Sequence, residues 1–117
     1  DGETLMAVTR TLHSDDETIS SLGVEQDVVT ITDDFVGTFN LDANALANGE
    51  TLQIRIYGKV RSGGTERLVD EYIFKHAQHR KFIKSIPIDS VDYCRITIEQ
   101  TGGSVRTFPC SVYQDDA

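Results

Sequence analysis

The chain has no tryptophan, two prolines, two cysteines and one methionine in 117 residues. Each shortage removes a class of answer. Two cysteines are too few for a disulfide scaffold. Without tryptophan, the broadest aromatic platform for a sugar ring is missing. No apolar run approaches the roughly 20 residues that cross a bilayer, and no stretch resembles the core of a signal peptide. Because the chain begins at Asp1, a removed leader stays open. No serine sits in a nucleophile-elbow context. The cysteines lie in strand-like sequence rather than at a helix N-terminus, where a thiolate would be stabilised. The residues therefore imply neither an enzyme nor a cofactor, and no membrane partner.

Positive charge is scarce in the first half. Residues 1–50 hold eleven acids against Arg10 alone, whereas the remainder holds ten bases and eight acids, for a net charge of −8. Such a field repels phosphate, so nucleic acid is excluded as a partner. The acidic half reads either as solvated loops or as a surface complementary to a basic partner. The length suits one domain over residues 1–117, with residues 1–17 as an extended N-terminal arm.

What is present is alternation. Phe35, Gly37, Phe39 and Leu41 form one row, and Leu52, Ile54, Ile56, Gly58 and Val60 form another. The period of two predicts strands with one buried face. Gly37 inside its row predicts a bulge or a close backbone approach. Residues 51–60 and 66–75 flank the loop Arg61-Ser62-Gly63-Gly64-Thr65 and read as a hairpin with Leu68, Tyr72 and Phe74 inward and Asp70 interrupting them. Lys81 to Ile88 reads as an edge strand ended by Pro87. Asp42 as N-cap, a run of alanines and Asn48-Gly49 predict one short helix over 41–49. Residues 91–100 and 104–113 flank Thr101-Gly102-Gly103 and read as a closing hairpin with a three-residue loop. That register sets Ile96 against Phe108 and Cys94 against Cys110. The two cysteines then either bond or stay buried thiols, and a hydrogen-bonded cross-strand position suits a bridge less well. The count of about eight strands predicts an all-β fold, an antiparallel β-sandwich or jelly-roll-like barrel with one short helix.

Candidate sites are few. His76 and His79, with His13, have ligand chemistry but no helical context to aim them at one metal. Asp15-Asp16-Glu17 and Asp33-Asp34 are rich in oxygen but lack calcium-loop spacing. No metal site is expected from either set. Lys75, Arg80, Lys81 and Lys84 lie within ten residues that contain no acid. They form the best candidate for docking an acidic neighbour, including another copy of the chain. Tyr57 and Tyr93 fall on outward rows, which keeps open a secreted or cell-surface domain that binds carbohydrate or another ligand.

Two stretches resemble a known pattern. Leu52, Arg55, Lys59, Val60, Ser62, Gly63, Gly64, Thr65 and Arg67 fit one hairpin element, the segment Lys84 to Ser90 follows, and Gln100, Thr101, Gly103, Arg106, Phe108 and Pro109 fit a second. Together they resemble a group of small virion proteins of tailed bacterial viruses. Cys110 stands where that group has an aromatic residue, and the first forty residues fall outside the pattern. The resemblance implies a capsid decoration or cement protein on the outer surface of the virion shell. Its partners would be the major capsid protein and neighbouring copies of itself in a homo-oligomeric layer. A tail or connector component is the related alternative.

Overall fold

The computed structural model describes residues 10–14 and 16–115. Expectations for residues 1–9 and for Asp15, including most of the proposed arm, lie outside the described residues. Among those described there are eleven strands: β1 (Arg10–Ser14), β2 (Glu17–Thr18), β3 (Gln26–Ile31), β4 (Phe35–Asp42), β5 (Thr51–Lys59), β6 (Glu66–Lys75), β7 (Phe82–Lys84), β8 (Ile88–Ser90), β9 (Cys94–Thr101), β10 (Thr107–Phe108) and β11 (Cys110–Asp115). All pairings are antiparallel. The first sheet runs β1-β11-β4, with β7 and β8 both on the far side of β4. The second sheet runs β3-β9-β5-β6, and β2 pairs with β10 as a separate two-stranded piece.

The alternating rows land where their period demands. Phe35, Phe39 and Leu41 of β4 and Val112 of β11 turn inward from the first sheet; Leu52, Ile54, Ile56, Ile96 and Ile98 turn inward from β5 and β9 of the second. All belong to one contiguous core, so the two sheets bury their apolar faces against each other in two layers. Each such side chain contributes about 1.5–3 kcal/mol of burial. Gly37 is the close approach anticipated for its row: a Cβ there would stand 1.9 Å from the Tyr113 carbonyl oxygen. The hairpin of β5 and β6 also forms, with Lys59 opposite Glu66.

Three expectations are corrected. No helix forms among the described residues. Over 41–49 the chain makes successive turns instead, with the Asp42 carboxylate accepting from the Asn44 N–H and the Leu46 N–H donating to Ala43 O. Asp42 is occupied as a strand end, its N–H donating to Pro109 O at 2.7 Å, and Gly49 at φ 89° stops the turns before a helix can propagate. The second correction is the closing hairpin. β9 lies between β3 and β5 with both edges used, so residues 107–113 cannot pair with it and cross to the other layer. The inward rows were right and the pairing was wrong. Cys94 faces Ile31 and Gly58, Cys110 faces Leu41, and both are buried thiols in different sheets. The third concerns β6. Its register slips between Ile56 and Tyr57, where Val69 is the extra residue. This bulge turns Leu68 to the outer row beside Tyr57, so the inward set becomes Asp70, Tyr72 and Phe74.

The loop that makes the crossover is held from inside. Gln100 is fully buried; its amide donates to Gly102 O at 3.1 Å and Ser104 O at 2.7 Å, and its carbonyl accepts from the Arg106 N–H. Glu50, also buried, takes the Arg106 guanidinium at 2.6 Å and the Ala47 N–H at 3.0 Å. Gly103, at φ 70°, leaves room for that carboxylate, since a Cβ there would lie 2.0 Å from Glu50 Oε2.

Two measurements check this architecture. Gly37→Ala should destabilise the fold by about 2 kcal/mol or more, because the new methyl meets backbone that cannot swing away; equilibrium urea unfolding reads the loss. Intact mass without reductant should equal that of the reduced chain. Burial, partly offset by a hydrogen bond with Ser90, pushes the Cys94 thiol up to about 11, so it should react with a thiol reagent only after unfolding.

Candidate docking surface

The outer face of the second sheet is a closed ionic lattice. Arg55 on β5 donates to Glu71 at 2.7 Å, to Glu99 at 3.0 Å and to Gln53 at 2.8 Å, and lies 3.6 Å from Glu25. Arg95 on β9 reaches Asp27 at 2.7 Å and Glu66 at 3.0 Å. The Tyr57 hydroxyl donates to Glu25 at 2.6 Å, Thr97 donates to the same carboxylate, and Tyr93 donates to Glu66. Both tyrosine rings are covered by cations: Arg95 lies 4.9 Å from the Tyr57 centroid and Lys59 lies 4.5 Å from the Tyr93 centroid.

The charges respond to these contacts. Burial alone would raise the Glu25 carboxyl, but hydrogen bonds from Thr97 and Tyr57, with the nearby Arg55 and Arg95, hold it below its ordinary 4.5. Tyr93 is pushed up to about 12 by its bond to Glu66 and by burial. At the crossover loop, the hydrogen bond from Arg106 holds the Glu50 carboxyl low against the cost of burying it.

The first sheet differs. Over its outer face lies an open groove of about 620 Å³ whose walls include the bases Arg10, Lys81 and Lys84, the acids Asp16 and Asp42, and the rings of Phe82 and Tyr113. Lys75, Arg80, Lys81 and Lys84 are all exposed. None of the four makes an ion pair among the described residues, whereas Arg10, Arg55, Arg95 and Arg106 each do. The structure brings Lys81 and Lys84 into the groove on either side of Phe82. Lys75 stands apart, at the end of the second sheet's edge strand opposite Thr51, and Arg80 lies in the connection between.

Composition did not disclose the apolar part of this surface. Phe82 is 71% exposed and Ile86 is 63% exposed. The signal was present in KFIKSIPI: Phe82 shares its parity with Lys84, so the row that turns Lys84 to water exposes Phe82 with it, and Ile83 and Ser85 face in.

Most other candidates are used locally, and His79 is exposed in the loop after β6. His76, at φ 66°, accepts the Gly49 N–H on Nδ1 at 3.0 Å and gives its own N–H to Glu50 O. His13 shares a 2.6 Å hydrogen bond with Gln114 and sets its ring edge-on to Phe35. Asp34 accepts the Asp92 N–H, and Asp33 accepts the Asp34 N–H. No three His, Cys, Asp or Glu residues gather as a metal-binding group among the described residues. No described helix is long and apolar enough to cross a membrane.

No family model, curated protein or solved structure matches the chain. The surface must speak through its own chemistry. What it offers is an exposed aromatic ring flanked by Lys81 and Lys84, which make no ion pair among the described residues.

The lowered carboxyls give a pH test with a definite sign. A carboxyl that ionises more readily folded than unfolded stabilises the protein fully above its ordinary value, and that contribution is lost as pH falls through the lower folded value. Thermal unfolding should therefore lose midpoint temperature progressively below about pH 4.5, the ordinary value for Glu25 and Glu50. Glu50→Gln should lower the midpoint at pH 7 and flatten the acid limb; an unchanged acid limb would remove Glu50 from the account.

Proposed function

We propose that the protein is a virion structural protein of the capsid decoration or cement kind. In this reading its two layers are a β-sandwich, and it works on the outer capsid surface by binding rather than by catalysis. The observation that carries the reading is the unpaired basic surface of Lys81 and Lys84 around exposed Phe82, extended by Arg80 and Lys75. A decoration protein stabilises a shell through interfaces, and many copies compensate for modest affinity at each one. The acidic face of a major capsid protein is the partner such a surface fits.

The residues that carry the resemblance also support the reading. Gln100, Gly103 and Arg106 build the crossover loop, and Pro109 supplies the carbonyl that anchors Asp42. In this view the motif preserves a scaffold that presents surfaces.

The carbohydrate reading is disfavoured by the same geometry. A sugar platform needs an open aromatic face, and Tyr57 and Tyr93 already carry Arg95 and Lys59 on theirs. Tyr72 spends its hydroxyl on the Ile86 N–H at 3.2 Å.

Co-sedimentation with stripped virus shells tests the proposal. Saturable binding at a fixed ratio to the shell subunit is expected. Arg80→Glu/Lys81→Glu should weaken it by roughly tenfold or more, with the fold intact by circular dichroism. Unchanged occupancy in the variant would remove these residues from the interface. Failure of the native chain to bind shells, with binding to isolated tails instead, would move the reading to a tail or connector component; failure to bind either would overturn it.

A further inference from the structure

The edge of the first sheet carries a second pattern, one written in the order of its residues. Among the described residues β7 and β8 pair only with β4 and so leave their outer side open. Along them the chain reads Lys81-Phe82-Ile83-Lys84-Ser85-Ile86-Pro87-Ile88-Asp89-Ser90-Val91-Asp92. Lys84 lies opposite Asn40 and Ile88 opposite Gly37, so the edge spends four steps where β4 spends three. That one-residue slip at Ser85–Pro87 lets Lys84 and Asp89, of opposite parity, both face outward. At the slip the backbone is engaged inward: the Ser85 N–H donates to Phe39 O at 2.9 Å and the Ile86 N–H to the Tyr72 hydroxyl at 3.2 Å, while Pro87 has no N–H. This edge therefore offers side chains rather than a hydrogen-bonding ladder.

Read from its two ends, the segment is antisymmetric in charge and symmetric in burial. Lys81 mirrors Asp92, Phe82 mirrors Val91, Lys84 mirrors Asp89 and Ile86 mirrors Pro87. The buried residues Ile83, Ser85, Ile88 and Ser90 mirror one another, and their exposed neighbours do likewise, Asp92 alone being half-buried. Lys81, Lys84 and Asp89 make no ion pair among the described residues, and Asp92 makes none but accepts the Ser62 hydroxyl at 3.0 Å, leaving its second carboxylate oxygen for a partner. The apolar members are conspicuous on a small protein: Phe82 is 71%, Ile86 63% and Val91 50% exposed, with Val69 at 62% beside Ile86 and Pro87 in an adjoining cleft of about 240 Å³.

We propose that this edge is a two-fold self-association surface and that its partner is a second copy of the chain. Turned end for end about an axis through Ile86–Pro87, the second copy sets Asp89 against Lys84 and Asp92 against Lys81. Phe82 packs on the partner copy's Val91, and Ile86 and Pro87 meet across the axis. Every contact occurs twice, because a two-fold interface uses one patch on both copies. The slip at the centre supplies the outward row, and Pro87 keeps the contact from continuing as a sheet. The inference stands without the virion reading. It and the virion reading assign the patch of Lys81, Phe82 and Lys84 to different partners, a second copy and a shell subunit, so on a shell the two contacts would compete for it.

Sedimentation equilibrium of the purified full chain, at low and high salt, tests this directly. The native protein should be a dimer whose dissociation constant rises with salt. Lys84→Glu and Asp89→Lys should each weaken dimerisation by roughly tenfold or more, since each places like charges together twice. The chain carrying both substitutions restores opposite charges across the axis and should return to within about threefold of the native constant. A native monomer, open-ended growth beyond the dimer, or a double variant as weak as the single ones would overturn the proposal. No shells enter this assay, and Lys84→Glu and Asp89→Lys are not the shell-test substitutions, so the dimer can stand or fall whether or not the native chain binds shells.

Discussion

The seating of β11 between β1 and β4 in the first sheet depends on how the chain leaves β9. With β3 on one side and β5 on the other, β9 has no edge left, and the chain leaves it across the core. Gln100 makes that exit a defined path by satisfying the loop's backbone groups with its own amide. Glu50 ties the loop to the turns before β5 through Arg106. A buried carboxylate is costly unless it is paired and fully hydrogen-bonded, and here it has both a guanidinium and a backbone N–H. Once this loop has delivered residues 107–113 to the other layer, β11 can lie between β1 and β4 and the core closes.

The two outer faces follow different electrostatic rules. On the second sheet, Arg55 and Arg95 each serve more than one carboxylate, and cations cap the rings of Tyr57 and Tyr93. Such a face has little unspent capacity for a partner, and breaking its network would leave several groups exposed together. On the first sheet, Lys81 and Lys84 stand beside an exposed ring and make no ion pair among the described residues. The charges of one face are tied together across several strands, whereas on the other Lys81 and Lys84 stay outside any ion pair among the described residues.

The sequence disclosed faces better than neighbours. The inward rows through Phe35, Leu52 and Cys94 were legible because a period of two survives any choice of pairing partner. The partner of β9 was not legible: Thr101-Gly102-Gly103 has turn chemistry, and a turn that reverses within a sheet uses the same residues as one that crosses between layers. The bulge at Val69 left no composition signal, and only Asp70 in an apolar row hinted that the parity had changed. The short helix failed because alanine propensity over 41–49 is weaker than the hydrogen bonds holding Asp42 and Glu50 in place. For the docking surface, the four basic residues were visible as a run, but the exposure of Phe82 and Ile86 required knowing which row faced water.

The bulge in β6 also bears on how the folded chain behaves at high concentration. β6 is ten residues long and forms an outer edge of its sheet, with Leu68, Val69 and Ile73 exposed along it. A straight strand of that composition would be a template on which identical chains could add without limit. The extra residue at Val69 breaks the hydrogen-bonding repeat near the middle and increases the local twist, so an incoming strand could match one half of the edge but not both. Chains held at high local concentration would then stay discrete folded units instead of seeding fibrils, a safeguard written into one unpaired valine.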